Sequence, residues 1–197
     1  MSARRGRRAD GERGAVLVEF ALVGTLLVTI LAGAYDLGQA WRSGLAVIES
    51  ARAGARVGSS QGVSSNADFS LLSSMKAALS SSGTLDDVTR VVIFKSTTED
   101  GAVPTTCRTA TASTSSPCNI LTGAQLQALP ASVGTALQAN GCVINSVARD
   151  WCPTTRNDVQ ASADYLGVWV QIEHDHLFPI FGSSLTIERT AVMRLEP

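Results

Sequence analysis

The sequence predicts an α+β protein in which a long N-terminal helix, membrane-spanning in its first half, packs on a small antiparallel sheet. Three observations indicate this class: an apolar run over residues 15–35, a helical period that continues to residue 57, and alternating polarity over residues 164–176, which an apolar turn joins to a further expected strand. We divide the chain into a leader (1–14), the helix (15–57), a Gly/Ser-rich hinge (58–67) and an outer α+β domain (68–197).

The leader and the apolar run together indicate a membrane anchor. Five arginines and two carboxylates give residues 1–14 a net charge of +3. Residues 15–35 are long enough to cross a bilayer, which requires about 20 apolar residues, and they include one carboxylate, Glu19. Because basic segments stay on the cytoplasmic side, we expect a single-pass protein of the cytoplasmic membrane with the N terminus inside and the C terminus outside.

Three processing fates are open for this N-terminal segment. The anchor can remain uncleaved, or an ordinary secretory peptidase can cut at the small-x-small pattern of residues 32–34. The third fate removes only the leader after Gly14, which makes Ala15 the new N-terminal residue and Glu19 the fifth. Ordinary secretion is disfavoured because the apolar stretch is longer than the usual 7–15 residues and contains Glu19.

Residues 14–22, Gly-Ala-Val-Leu-Val-Glu-Phe-Ala-Leu, resemble the processing site of type IV prepilins, in particular of TadE-like pseudopilins of tight-adherence pili. Segments 36–40 and 51–56 are similar to those that follow the span in that family, and residues 189–197 resemble its usual ending. The resemblance implies a pilin-like fold and a structural subunit, a minor pilin or pseudopilin, that is assembled into or at the tip of an extracellular pilus. It also implies cleavage by a prepilin peptidase between Gly14 and Ala15. The other implied partners are pilin or pseudopilin subunits and the assembly platform in the membrane, besides the lipid bilayer itself.

Glu19 has two interpretations in this setting. In an assembled bundle its carboxylate can pair with the new amine of a neighbouring subunit, and burying one charge without the other would cost several kcal/mol. Alternatively, Glu19 extends towards the lipid headgroups and has no partner in a second chain.

The second half of the helix carries two periodic stripes. The first has spacings of four, three, four and three, and consists of Trp41, Leu45, Ile48, Arg52 and Ala55. The second is made mainly of small residues and consists of Gly44, Val47, Ala51, Gly54 and Gly58. Small residues permit close backbone approach, either to a neighbouring helix or to the chain's own outer domain, although glycines can also simply weaken the helix.

The outer domain is predicted to contain two helices and three strands. We expect helices over residues 69–79 and 122–138, the second interrupted or kinked by Pro130. Strands are expected over residues 88–95, 164–176 and 184–195, and the apolar turn 178–182 favours antiparallel pairing of the last two. Residues 97–117 form a polar loop rich in Ser and Thr.

Four cysteines lie after the span, at positions 107, 118, 142 and 152, and an even count in an exported domain indicates two disulfides. Of the three possible pairings we favour Cys107 with Cys118 and Cys142 with Cys152, because each closes a short loop. A zinc site is the competing interpretation, but the sequence has no Cys-x2-Cys pair.

Two further motifs could indicate a catalytic serine or a metal site. Residues 58–62 match the G-x-S-x-G nucleophile pattern around Ser60, but they follow a helix instead of a strand. A strand would place His174 and His176 on one face, where they could contribute to a metal site only with a third ligand from elsewhere.

We therefore expect no enzyme, no cofactor and no metal. Nucleic acid is not an expected partner either, because the chain after residue 14 carries a net charge of −4 once the +3 leader is removed from the total of −1. The alternative function is a single-pass membrane-anchored extracytoplasmic binding module that does not polymerise. A secreted hydrolase would depend on Ser60 alone.

Overall fold

One helix, α1 (Gly6–Ser60), extends over about 80 Å at 1.5 Å per residue. The computed structural model describes residues 6–178 and 182–197, with side chains described from residue 14 onward. The helix begins within the leader and ends three residues beyond the predicted 15–57. Residues 6–60 contain no proline, and the glycines at the two predicted boundaries, Gly14 and Gly58, weaken the helix without ending it.

The two halves of α1 differ in burial. Within residues 14–35, only Ala32 and Gly33 are buried, whereas from Asp36 onward buried positions recur every three or four residues. This is the pattern of a helix that packs one face on a core. The buried positions are 36, 40, 43, 44, 47, 50, 51, 54, 55, 58 and 59.

The connection after α1 is short, and the C-terminal tail is hydrogen-bonded to its start. Turns cover residues 61–66, and α2 (Ala67–Ser82) begins directly afterwards. The backbone N–H of Glu196 donates to the carbonyl oxygen of Ser59 at 3.0 Å, so the C-terminal tail holds the segment that was predicted to be a hinge. α2 ends where Gly83 adopts a left-handed conformation (φ 73°), in which its N–H reaches the carbonyls of Leu79 and Ser80.

Five strands form one antiparallel sheet in the order β3-β2-β1-β4-β5. Their bounds are β1 Val88–Ser96, β2 Cys118–Thr122, β3 Ala148–Arg149, β4 Tyr165–Asp175 and β5 Ser184–Arg194. Trp169 on β4 lies opposite Val92 on β1 and Thr190 on β5. The predicted antiparallel pairing of the last two strands is confirmed, although residues 179–181 of the predicted turn lie outside the described residues.

The prediction of a helix over residues 122–138 is wrong beyond its first turn. The helix α4 (Gly123–Gln127) starts at a capping box formed by Thr122 and Gln125, and residues 128–138 form turns and irregular structure. Pro130 lacks the N–H that a continuing helix needs. The ammonium group of Lys76 donates to the carbonyls of Gln127 and Leu129 at 2.6 and 2.7 Å, which satisfies backbone groups released at the end of α4.

The segment 97–117 is more ordered than a polar loop. It contains the short helix α3 (Thr105–Thr109), and the backbone N–H of Thr114 donates to the carboxylate of Asp150 at 2.6 Å. The disulfide at Cys107 joins this segment to β2. A single 3-10 turn (Pro153–Thr155) precedes the approach to β4.

Two apolar clusters lie on opposite sides of the sheet. The larger is shared by the outer half of α1, by α2 and by one sheet face, and includes Val47, Leu71, Met75 and Val91. The smaller covers the other face and includes Phe94, Ile120 and Trp169 with the first pair of cysteines. The predicted α+β class, with a long N-terminal helix and an antiparallel sheet, is confirmed.

Candidate membrane and assembly surface

The first half of α1 is an apolar cylinder whose large side chains are mostly exposed in the part of the chain that the structure describes. Large apolar side chains between Val16 and Leu31 are exposed over 49–75% of their surface. A core helix of a water-soluble protein would bury such side chains. In the part of the chain that the structure describes, this is the one helix long and apolar enough to cross a membrane.

Glu19 lies on this apolar cylinder with its side chain exposed. It follows Ala15 by four residues, which corresponds to about 6 Å along the helix axis. Among the described residues none forms an ion pair with Glu19. Gly14 lies in open space, since a Cβ placed there would meet nothing within 4 Å.

The small-residue stripe of α1 packs on the chain's own outer domain. A Cβ added at Gly54 would lie 2.5 Å from Cγ of Met75, and one added at Gly58 would lie 2.6 Å from Cδ1 of Leu71. Gly44 faces β5 instead, where its Cβ would lie 3.2 Å from Nη2 of Arg189. Val47 and Ala51, the remaining members, are fully buried. Of the two partners left open by the sequence, the structure provides the outer domain.

A different face of the outer half of α1 remains uncovered. Leu37, Trp41 and Leu45 follow one another at intervals of four residues and are exposed over 61%, 73% and 51% of their surface. We call these three residues the outward stripe. The ion pair of Glu49 with Arg52 (3.1 Å) continues along exposed helix surface and contributes little to stability.

Asp36 fastens the β4–β5 hairpin to α1 at the end of the apolar cylinder. Its carboxylate is 3% exposed and accepts the backbone N–H groups of Leu177 (3.2 Å) and Phe178 (3.0 Å). Nδ1 of His176 lies 4.0 Å from the same carboxylate. Nothing in the local sequence pattern indicates this contact, because the two partners are separated by about 140 residues.

The two histidines contact different groups. Their ring centroids are 6.1 Å apart, but Nδ1 of His174 lies 3.3 Å from the hydroxyl of Ser43, whereas His176 faces Asp36. Within residues 6–178 and 182–197 there is no group of three or more His, Cys, Asp or Glu side chains arranged to hold a metal.

Asp87 lies at the same end of the sheet, and partial burial raises the pKa of its carboxyl. The nearby His174 opposes this rise in the pKa, whereas Asp175 and Asp86 reinforce it. A polar cavity of about 320 Å³ adjoins this group between α1, the end of α2 and β4. Its lining includes Arg42, Ser43, Thr84, Asp87 and His174.

The G-x-S-x-G pattern does not form a nucleophile elbow. Ser60 is the last residue of α1, and its exposed hydroxyl donates to the carbonyl of Val57 at 3.1 Å. His174 lies beside Ser43, which is 17 residues earlier on α1 and therefore about 25 Å away along the axis. The structure thus keeps apart the serine and the histidine that a hydrolase would need together.

Both disulfides join the cysteines that lie nearest in sequence. Cys107 pairs with Cys118 and Cys142 with Cys152, at Cα–Cα distances of 6.4 and 5.0 Å. This is the pairing favoured from the sequence. The first bridge joins α3 to β2, and the second joins two irregular segments.

A buried ionic network, not indicated by the sequence, lies beside the second disulfide. The side chains of Asp68 and Arg156 form an ion pair and are 2% and 0% exposed. The amide of Asn119 donates to Asp68 and to the carbonyl of Trp151, at 2.7 and 2.8 Å. Burial raises the pKa of the Asp68 carboxyl, and Arg156 opposes that rise. The network links α2, β2 and the segment that precedes β4.

The fold and this surface define the class of protein. In the described residues, one N-terminal helix is able to span a membrane, and an α+β domain is built on the second half of that helix. Residues 14–56 match the family model described as TadE-like protein, which confirms the resemblance over the helix. That family is associated with the machinery of tight-adherence pili and is structural in character. No curated protein and no solved structure matches the chain.

Proposed function

We propose that the protein is a minor pilin or pseudopilin subunit of a tight-adherence pilus. It is inserted in the cytoplasmic membrane with its N terminus inside and its outer domain outside. A prepilin peptidase removes residues 1–14, and the mature chain is assembled into the pilus or at its tip. One observation supports this proposal most strongly: a continuous helix has a bare apolar first half that carries Glu19, while its second half is fastened to a folded domain.

Cleavage after Gly14 would give Glu19 a chemical role. The new amine of Ala15 would carry a positive charge about 6 Å from Glu19 along the same helix. When several such helices pack side by side, the carboxylate of one chain and the amine of the next can neutralise each other. A carboxylate left unpaired in that bundle would cost several kcal/mol, so the pair would set the axial register between subunits.

The outward stripe supplies a second contact for assembly. Leu37, Trp41 and Leu45 lie beyond the end of the apolar cylinder, where a free subunit would expose them to water. Exposed apolar residues that form one contiguous face are typical of protein–protein interfaces. Because the small-residue stripe is already buried on the outer domain, the outward stripe is the face of the outer half of α1 that remains for a neighbouring subunit.

The processing step is tested by N-terminal sequencing of protein from membranes and from sheared surface material. We expect a start at Ala15 in the wild type and an uncleaved start in Gly14→Leu. Gly24→Leu is the matched control, because Gly24 lies on the same exposed helix with equally open surroundings. A wild-type start at Tyr35 would refute the proposal in favour of ordinary secretion.

The assembly step is tested with Glu19→Gln, which keeps the shape of the side chain and removes its charge. We expect normal removal of the leader but less protein in the sheared pilus fraction, measured by immunoblot. Thr29→Val is the control, since it removes a polar group from the same exposed helix without changing charge. Equal incorporation of Glu19→Gln and the control would exclude a pairing role for Glu19.

A membrane-anchored binding module that does not polymerise is the second candidate. The polar cavity beside His174 favours this candidate, because the charged side chains of Arg42 and Asp87 line it together with several hydroxyl groups. This candidate requires that the protein stays in the membrane fraction. Recovery of the protein in sheared pili would exclude this candidate function.

A further inference from the structure

The tip of the β4–β5 hairpin leaves an apolar groove against α1. The groove has a volume of about 360 Å³ and is lined by Val28, Leu31, Ala32, Tyr35, Leu177 and Phe178. At the tip, Leu177 is 67% and Phe178 41% exposed. Two large apolar side chains are therefore presented to the surroundings next to the helix that is able to span a membrane.

The groove lies within the membrane-spanning part of α1. Val28 precedes Asp36 by eight residues, so the groove extends about 12 Å back along the helix from the point where the hairpin is fastened. Ala32 and Gly33, the two buried positions of residues 14–35, lie in this stretch. The small side chain of Ala32 leaves room for Leu177 and Phe178 to approach the helix below the expected membrane surface.

The backbone N–H groups of residues 176–178, which lead into the tip, are paired within the protein and therefore suit an environment without water. Irregular backbone in lipid is tolerated only when its polar groups are satisfied by the protein, because each unsatisfied group costs several kcal/mol. The N–H groups of Leu177 and Phe178 donate to the carboxylate of Asp36, and the N–H of His176 donates to the carbonyl of Ser183 at 2.9 Å. Three consecutive backbone donors are thus paired, while the two side chains that follow His176 are apolar.

We propose that Leu177 and Phe178 enter the outer leaflet beside α1 and that a lipid acyl chain occupies the groove between these two residues and the helix. This inference rests on the proposed insertion of residues 15–35 in the membrane. The lipid is favoured as the occupant because the groove is continuous with the bare apolar surface of the spanning helix, including Val28 and Leu31. Tyr35 at the upper end of the groove is half exposed, as is typical of aromatic residues at a membrane interface.

A second membrane contact would have a mechanical consequence. One helix alone leaves the outer domain free to rotate about the helix axis, whereas two contacts set its orientation relative to the bilayer. Extraction of the subunit from the membrane would then have to withdraw the hairpin tip together with α1.

The test uses the full chain in phosphatidylcholine vesicles that contain lipids brominated on the acyl chains, which quench tryptophan fluorescence on contact. Phe178→Trp places the probe at the tip, Phe20→Trp places it in the spanning helix, and Val159→Trp places it on an exposed loop of the outer domain. Each variant is compared with the parent chain, so that Trp41, Trp151 and Trp169 contribute equally. Leu177→Trp repeats the measurement at the neighbouring position in case Phe178→Trp folds poorly.

We expect the added emission of Phe178→Trp or Leu177→Trp to fall about as much as that of Phe20→Trp, and the emission of Val159→Trp to be unchanged. Quenching of Phe20→Trp without quenching of either tip variant would overturn the proposed lipid contact and leave the anchor intact. Absence of quenching in Phe20→Trp would refute the anchor itself. Loss of tip quenching as the protein-to-lipid ratio rises would show a neighbouring chain in the groove and would also overturn the lipid assignment.

Discussion

The close contact of Gly54 with α2 leads to a quantitative prediction about the join between the long helix and the outer domain. Gly54→Ala adds one methyl group, whose carbon would lie 2.5 Å from Cγ and 2.8 Å from Sδ of Met75. Carbon atoms in ordinary contact lie about 3.5–4.0 Å apart, so the overlap is roughly 1 Å. Met75 is fully buried and can move only by disturbing its neighbours.

Two opposing effects set the size of the change. Alanine is favoured over glycine in a helix interior by about 1 kcal/mol. Overpacking a well-filled core costs about 1–3 kcal/mol. We therefore expect Gly54→Ala to range from nearly neutral to about 2 kcal/mol less stable than wild type. Gly38→Ala is the matched control, because Gly38 lies on the same helix with nothing within 4 Å of an added Cβ.

The measurement is urea unfolding of the full chain in mild detergent, followed by fluorescence. Trp151 and Trp169 are 4% and 2% exposed and report on the unfolding of the outer domain. Gly38→Ala should be as stable as wild type or up to about 1 kcal/mol more stable, which places it above Gly54→Ala. Equal stabilisation by both substitutions would refute the argument, since it would mean that the α1–α2 contact has room for a methyl group.

Three further predictions concern the outer domain, and each is checked by the same unfolding measurement. Replacing Cys142 and Cys152 together by alanine should cost about 3 kcal/mol, because the disulfide closes a short loop with a sequence separation of 10; an unchanged urea midpoint would contradict this. Arg156→Met should cost about 3–5 kcal/mol by leaving the buried Asp68 unpaired, whereas Asp68→Leu with Arg156→Met should cost much less than the sum of the two single changes; additive effects would count against the pair. Burial raises the pKa of Asp87 above its unfolded value, so its contribution to stability is present at low pH and is lost as pH rises from about 4 through the folded pKa. Asp87→Asn should therefore gain stability relative to wild type as pH rises over that interval, and a gain independent of pH would contradict the assignment.

Long periodic segments were predictable from the sequence, and short or irregular ones were not. Alternating apolar and polar residues predicted β4 within one residue at each end, because Leu166, Val168, Val170 and Ile172 all lie in the larger cluster, although the structure also buries Trp169 on the opposite face. β2 has five residues, four of them buried, so it shows no alternation and was missed. The predicted second helix failed after Gln127, where Pro130 and the contacts of Lys76 end the helix.

The features of the candidate site also fall into two groups, those that the sequence indicates and those that only the structure shows. Glu19 and the apolar run stand out in the local pattern, and Gly14 is indicated by the family resemblance of residues 14–22, so all three depend on residues within a few turns of one helix. The contacts of Asp36 with the hairpin, and of Arg156 with Asp68, join residues that are distant in sequence. No periodicity contains such pairings, so they become visible only when the chain is folded.

The order of residues was enough to predict a long N-terminal helix with a membrane-length apolar half and an antiparallel pair of strands near the C terminus. The length of an apolar run and its periodicity depend only on consecutive residues, so both can be recognised without the tertiary structure. The folded structure settled what each face of α1 contacts. It buried Gly54 and Gly58 on α2, left Leu37, Trp41 and Leu45 uncovered, and placed Leu177 and Phe178 beside the spanning helix. These contacts depend on packing between distant segments, so the small-residue stripe could be recognised in the sequence, whereas its partner could not.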